Sequence, residues 1–322
     1  MIRRARGPVM LGVEALELTP EDRERLAHPS VGGVILFARN YAEPGQLTAL
    51  TGAIRALREP HLPIAVDHEG GRVQRFRAGF TAIPPMRSLG ESFDQDVARA
   101  AREAESLGAT IAAELASHGV DFSFTPVLDL DWGTSGVIGD RAFHRNPNAV
   151  AYLATALSRG LRSRGMAAVG KHFPGHGHVA ADSHHEIPVD ERPMRAIAEQ
   201  DLVPFGVLVA SGIDGIMPAH VVYPDVDDRP AGFSRKWLQD VLRGRLGFDG
   251  MVFSDDLDMV GAHSAGDIVA RAEAAVAAGC DVVITCNDFA AADDLLLRWT
   301  APAHPELERR WARMAAQGSA AA

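Results

Sequence analysis

The chain has 322 residues, 47% of them hydrophobic, with a formal net charge of −10. That is apolar material enough for a full core, in one large α/β domain or two modest ones. The acidic balance argues against nucleic acid or an anionic membrane surface as partner, since both call for a basic face. Taken in chain order, short apolar runs at 9–13 and 31–37 read as strands, with a helix over 44–58. A strand at 63–66 and a helix over 96–118 follow, then a strand at 122–127 and a helix over 148–164 that Asn146 caps ahead of Pro147. The remaining units pair strands at 167–170, 215–218, 251–253 and 281–285 with helices over 194–210, 234–246 and 262–278. Ser234 is the expected cap of the second of these helices, and Gly119, Gly165, Gly212, Gly247 and Gly279 close helical stretches.

Strands of four to seven residues, apolar on both faces and alternating with helices, indicate a parallel sheet covered by helices. Eight such units predict an α/β fold of the closed (β/α)₈ barrel type, a TIM-type barrel in a single domain over 1–317. Polar clusters after several strands point the same way: Asp67-His68-Glu69, Asp129-Leu130-Asp131, Lys171-His172, His220 and Asp255-Asp256. An open sheet would gather its chemistry near one switch point instead. No linker or internal repeat divides the chain, and only 318–322 reads as a disordered tail. Arg3, Arg4 and Arg6 precede an apolar stretch broken by Glu14 and Glu17, so no signal peptide is expected. No run reaches the ~18 apolar residues of a membrane-spanning helix. Cys280 and Cys286 fall on one expected strand, roughly 20 Å apart and out of disulfide reach. The expectation is a soluble cytoplasmic protein.

Two segments concentrate the chemistry. Gly170-Lys171-His172-Phe173-Pro174-Gly175-His176-Gly177, continuing to Asp182-Ser183-His184, sets a cation, several imidazoles and a carboxylate after an apolar run. Ordering polar groups at that density costs free energy unless a ligand uses them. Asp182 and His184 suit a carboxylate–imidazole dyad, in which the acid orients the ring and favours its protonated form. Such a ring donates and recovers a proton near neutrality. The second segment is Gly250-Met251-Val252-Phe253-Ser254-Asp255-Asp256. A helix cap would need one of these acids, not two adjacent carboxylates. After the third strand, Asp67 and Arg75 offer acceptors and bidentate donors to a polyhydroxylated ligand, while Glu69 and Arg72 suit an internal salt bridge. Arg141 adds a further cation on a glycine-led loop.

Together these residues resemble glycoside hydrolase family 3, and in particular its single-domain bacterial β-N-acetylhexosaminidase branch, over nearly the whole chain. The run from Val241 to Asp255 looks like the family's nucleophile signature, and Lys171–Gly177 with Asp182-Ser183-His184 looks like the branch's own. The resemblance implies Asp255 as nucleophile, His184 as acid/base and Asp182 as its partner. It also implies sugar-binding roles for Asp67, Arg75, Arg141, Lys171 and His172. His68 stands where a glutamine is common, and His178 where an aspartate is common. The chain stops after the eighth unit, so the second domain of the larger β-glucosidases is expected to be absent.

The implied activity is retaining hydrolysis of terminal β-linked N-acetylglucosamine from peptidoglycan fragments (GlcNAc-anhydroMurNAc-peptides), without cofactor or metal, by a monomer or weak homodimer. Other readings stay open at this point. The histidines suit a metal-dependent barrel hydrolase, although the first strand end, Gly12 to Glu14, lacks the His-x-His such enzymes use. Asp255-Asp256 also suits catalysis assisted by the substrate's acetamide. An imidazole base is compatible with phosphorolysis, and a non-catalytic sugar-binding barrel is the reading outside enzymes.

Overall fold

Eight parallel strands close on one another: β1 (Val9–Leu11), β2 (Val31–Leu36), β3 (Ile64–Val66), β4 (Phe122–Ser123), β5 (Ala167–Phe173), β6 (Gly215–Pro218), β7 (Met251–Asp256) and β8 (Val282–Thr285). Closure is made by β8 against β1, with Val283 paired to Val9 and Thr285 to Leu11. This computed structural model describes residues 2–180 and 187–316. The expected dyad of Asp182 and His184 lies outside the described residues, as does the expected tail at 318–322. Among the described residues, no helix is long and apolar enough to cross a membrane.

The barrel interior is packed with aromatic rings. Phe122, Phe124 and Phe253 are fully buried, with ring centroids 5.2–5.6 Å apart. Trp311, on the helix Leu307–Ala316, plugs the N-terminal mouth of the barrel. It lies against Phe253 at 5.8 Å, and a Cβ on Gly33 would come within 3.1 Å of its ring. Small residues on β2 are therefore what lets the ring enter.

Helices cover the outside as the alternation predicts, with local corrections. The strand expected at 122–127 ends at Ser123, because Pro126 has no N–H to offer a ladder, though Val127 still bridges to Lys171. The helix expected over 194–210 breaks into Met194–Glu199 and Leu202–Ala210 around Gln200. Between the pieces, the buried Asp201 accepts from Trp132 Nε1 at 3.0 Å and Arg192 Nη1 at 2.7 Å, bonds that tie the backbone to neighbouring loops. The helix expected over 262–278 starts only at Ile268, capped by Asp267, because Gly266 at φ 108° separates it from a 3₁₀ turn at Val260–Ala265. Ser234 does accept the Trp237 N–H at 3.2 Å, but the segment it heads, Lys236–Arg245, is wound as a π-helix. Asn146 caps Pro147–Ser163 as expected. Both cysteines are buried and free.

Candidate active site

The C-terminal ends of the strands converge on a cavity of about 140 Å³. Asp67, Arg75, Arg141, Lys171, His172 and Asp255 all line it, so every expected site residue that is described comes to one place. Five different segments supply them. Asp67 follows β3, and the short antiparallel pair His68–Gly70 with Val73–Gln74 folds back to present Arg75. The turn needs Gly70 and Gly71, which take φ of 108° and 55°. Arg141 comes from the 3₁₀ turn Gly139–Arg141, Lys171 and His172 from the end of β5, and Asp255 from the end of β7.

Charges in the cavity floor are paired. Glu69, 1% exposed, takes a two-pronged grip from Arg141, with Nε and Nη2 each 2.8 Å from a carboxylate oxygen. Lys171 Nζ lies 2.6 Å from Glu69 and 2.6 Å from Asp67. Burial works against the Glu69 carboxylate, but the Arg141 and Lys171 cations outweigh it and hold the group well below the usual range. Burial likewise works against Asp67, and Lys171 and Arg75 lower it. Against the same burial penalty, Asp67 and Glu69 keep Lys171 above its ordinary value. The pairing expected between Glu69 and Arg72 is not made. Arg72 instead faces Asp140 at 3.5 Å, because the hairpin turns its side chain outward while Glu69 points into the barrel mouth. The acid contact of Arg75 is a long one to Asp67, 3.5 Å, its guanidinium lies 5.7 Å from the centre of the Phe37 ring, and its buried Nε has no hydrogen-bond partner among the described residues.

Asp129, fully buried after β4, was legible in sequence only as part of a polar cluster. Its carboxylate takes His172 Nδ1 at 2.7 Å and the His176 N–H at 2.6 Å, so it fixes the ring that the cavity presents. Burial opposes its charge, yet His172 and His176 hold it below the usual carboxylate range. Asp255 Oδ1 accepts the Asp256 N–H at 2.8 Å. Asp256 also lines the cavity, and burial together with the nearby Asp258 carboxylate pushes it up to about 7. Its hydrogen bonds come from Asp258 N at 3.1 Å and Asn287 Nδ2 at 2.8 Å. His220, buried after β6, is driven below its ordinary value by burial, with Asp255 opposing.

Among the described residues, Asp256, Asp258 and Cys286 are the one group with three metal-capable atoms within 4.8 Å of one another. Asp258 has other partners, however. It accepts from Thr285 Oγ1 at 2.7 Å and from the N–H groups of Cys286, Asn287 and Asp288 at 2.8–3.0 Å. Its work is to clamp the turn after β8.

Paired acids and cations around a cavity on a barrel's C-terminal face suit carbohydrate chemistry, and comparison with known proteins decides the family. Residues 8–299 match the N-terminal domain of glycosyl hydrolase family 3. The chain belongs to that family. It is therefore a glycoside hydrolase, and its relatives in the family span nearly its whole length. A beta-hexosaminidase of Chromobacterium violaceum is 57% identical over 315 residues, covering 98% of this chain and 88% of that one. Another, of Methylobacillus flagellatus, is 61% identical over 91% of this chain and 84% of its own. The crystal structure of NagZ from Neisseria gonorrhoeae in complex with N-trifluoroacetyl-D-glucosamine superposes with a TM-score of 0.94 at 49% identity, covering 98% of this chain and 92% of that one.

Proposed function

We propose that this family 3 hydrolase is a retaining exo-β-N-acetylglucosaminidase that releases terminal N-acetylglucosamine from GlcNAc-anhydroMurNAc-peptides during cell-wall recycling. The observation that carries the reading is the shared cavity: Asp255 opens onto the same space as Asp67, Arg75, Arg141, Lys171 and His172. The beta-hexosaminidase relatives and the N-trifluoroacetyl-D-glucosamine bound by the gonococcal protein support an N-acetylated amino sugar as the unit held there. On this reading one catalytic barrel over 1–317 acts in the cytoplasm as a monomer or weak homodimer.

In the first step an Asp255 carboxylate oxygen bonds to the anomeric carbon as the glycosidic C–O bond breaks. His184, oriented by Asp182, gives its proton to the departing oxygen. In the second step His184 takes a proton from water, the water oxygen bonds to the anomeric carbon, and Asp255 leaves as a carboxylate. An imidazole suits both roles because its unperturbed pKa of about 6.5 keeps either form accessible near neutrality. Lys171, Arg141 and His172, each already oriented by a buried acid, hold the sugar's hydroxyls without rearranging.

Turnover of nitrophenyl N-acetyl-β-glucosaminide tests the reading. Asp255→Ala is expected to lower kcat by at least about 10⁴-fold. His184→Ala should largely spare the nitrophenyl substrate, whose leaving group needs no acid, while losing about 10²–10⁴-fold on the natural disaccharide. Equal loss on both substrates in the glycosylation step refutes the acid role. Release of sugar 1-phosphate when phosphate is added refutes hydrolysis.

A further inference from the structure

Asp255 and Asp256 stand side by side on the cavity wall, yet their carboxylates are held quite differently. Asp255 has one oxygen, Oδ1, fixed by the Asp256 N–H at 2.8 Å. Asp256 is itself gripped at three other points. Its carbonyl accepts from His220 Nε2 at 3.1 Å, one carboxylate oxygen from Asp258 N at 3.1 Å, and the other from Asn287 Nδ2 at 2.8 Å. The Asn287 amide is in turn oriented by Arg39, whose Nη1 reaches its oxygen at 2.9 Å. Arg39 also gives Nη2 to the Cys286 carbonyl at 2.6 Å and Nε to the Val13 carbonyl at 3.0 Å, so it braces the ends of β1 and β8 from its own place after β2.

From this chain of contacts we infer that Asp256 is the positioning residue of the reaction, orienting the Asp255 carboxylate through its own main-chain N–H, and that Arg39 and Asn287 hold it to that task. The inference rests on Asp255 being the nucleophile. The N–H that meets Asp255 Oδ1 lies in the peptide plane joining Asp255 to Asp256, and the three outer bonds hold the Asp256 end of that plane in place. With Oδ1 occupied, the remaining oxygen of Asp255 is the one left to attack. An asparagine at 256 could not replace the acid, since its side chain offers one acceptor oxygen to the two donors present. Both oxygens of Asp256 are already engaged. Burial and Asp258 also raise its proton affinity, and the Asn287 donor opposes that effect.

A 5-fluoro N-acetylglucosaminyl fluoride that traps the glycosyl-enzyme reads nucleophilic attack alone, as an inactivation rate constant, and binding separately, as Ki. Asn287→Ala and Arg39→Met are each expected to lower the rate constant about tenfold or more, since small misplacements of reacting groups are costly. Ki should stay within about twofold, as befits a residue that acts on the transition state alone. The double variant should be no slower than the slower single, because both act through one chain of bonds. Asn287 is exposed, so its variant is expected to keep the wild-type melting temperature and serves as the primary test. An unchanged rate in Asn287→Ala overturns the inference, and so does a rise in Ki that matches the loss in rate. Peptide mapping of the trapped wild type separates this failure from that of the parent reading. A label on Asp255 with unchanged variants refutes the positioning alone, and a label elsewhere refutes both.

Discussion

His68 opens the short strand that follows β3, with its ring buried between Phe76 and Phe80, at centroid distances of 5.9 and 5.7 Å. Burial, with Arg77 adding to it, pushes its pKa down to about 4. In the unfolded chain the same ring titrates near 6.5, so between these values the unfolded state binds a proton that the fold refuses. Stability is therefore lost as pH falls from about 6.5 towards 4, by up to about 3 kcal/mol from this residue. His68→Gln should remove that share. Urea unfolding at pH 7.5 and 4.5 is expected to show a smaller acid loss in the variant, and parallel losses would refute the assignment. At this scale the sequence showed which residue types cluster, but not which partner each would choose. Asp67, Lys171 and Asp255 stood out by their place at strand ends. Asp129 fell in a strand-end cluster too but carried no role of its own, because what marks it is full burial beneath His172, and burial of a polar residue is a tertiary fact.

Glycines within helices show how far local preference can be reversed by a neighbouring element. Gly108 on Val97–Ser117 and Gly160 on Pro147–Ser163 face each other's helices. A Cβ on Gly108 would lie 2.2 Å from the Leu157 carbonyl oxygen, and one on Gly160 2.0 Å from that of Glu105. Gly52, on Pro44–Arg55, has nothing within 4 Å of the same position. Helix propensity alone favours alanine at all three by about 1 kcal/mol. Gly52→Ala is expected to raise stability by that amount, whereas Gly160→Ala should lower it by about 1–3 kcal/mol as the helices are forced apart. Thermal melts of the two variants check the opposite signs, and a shift in the same direction for both would sink the argument. The same limit explains where the expected helices failed. Those with a regular apolar face and a capping residue formed. The stretch over 194–210 broke because the buried Asp201 bonds to Trp132 and Arg192, partners distant in sequence or beyond the helix start. The helix Pro20–Ala27 went unread although Thr19 and Asp22 form a capping box at its start, a local signal that was available.

Across the whole barrel one small device recurs at the N-terminal rim. Gly119-Val120-Asp121, Gly212-Ile213-Asp214 and Gly279-Cys280-Asp281 each run into an even-numbered strand. The glycine takes positive φ to end the preceding helix, and the middle residue is buried. The aspartate then accepts an N–H from the previous strand: Ile64 at 2.7 Å, Ala168 at 3.0 Å and Val252 at 2.7 Å. Each also pairs with an arginine from the helix before that strand, Arg55, Arg162 or Arg243. The closing glycines were legible in sequence, yet the repeat was not, because three residues in some eighty carry too little similarity to register as a period. Asp281→Ala would leave Arg243, Arg310 and His304 without their shared acid, and is expected to lower stability by about 3–5 kcal/mol. The turnover of correctly folded enzyme at 25 °C should be unchanged, since the chemistry lies at the other rim. Denaturant unfolding alongside KM and kcat tests both halves, and a change in KM would contradict the separation of rims. The fold class was the most legible feature of all, since eight alternating units constrain it many times over. The cavity floor carries a consequence of its own. Glu69 and Asp67 together neutralise Lys171 and Arg141, so a phosphate or carboxylate reaching them meets no idle countercharge other than Arg75, whose nearest acid contact is 3.5 Å, whereas a hydroxyl, able to give and take a hydrogen bond at once, fits between the paired ions. Selection beside the paired ions thus sorts guests by the geometry of their alcohols, and burying an acidic sugar there costs a desolvation that Arg75 alone is placed to offset.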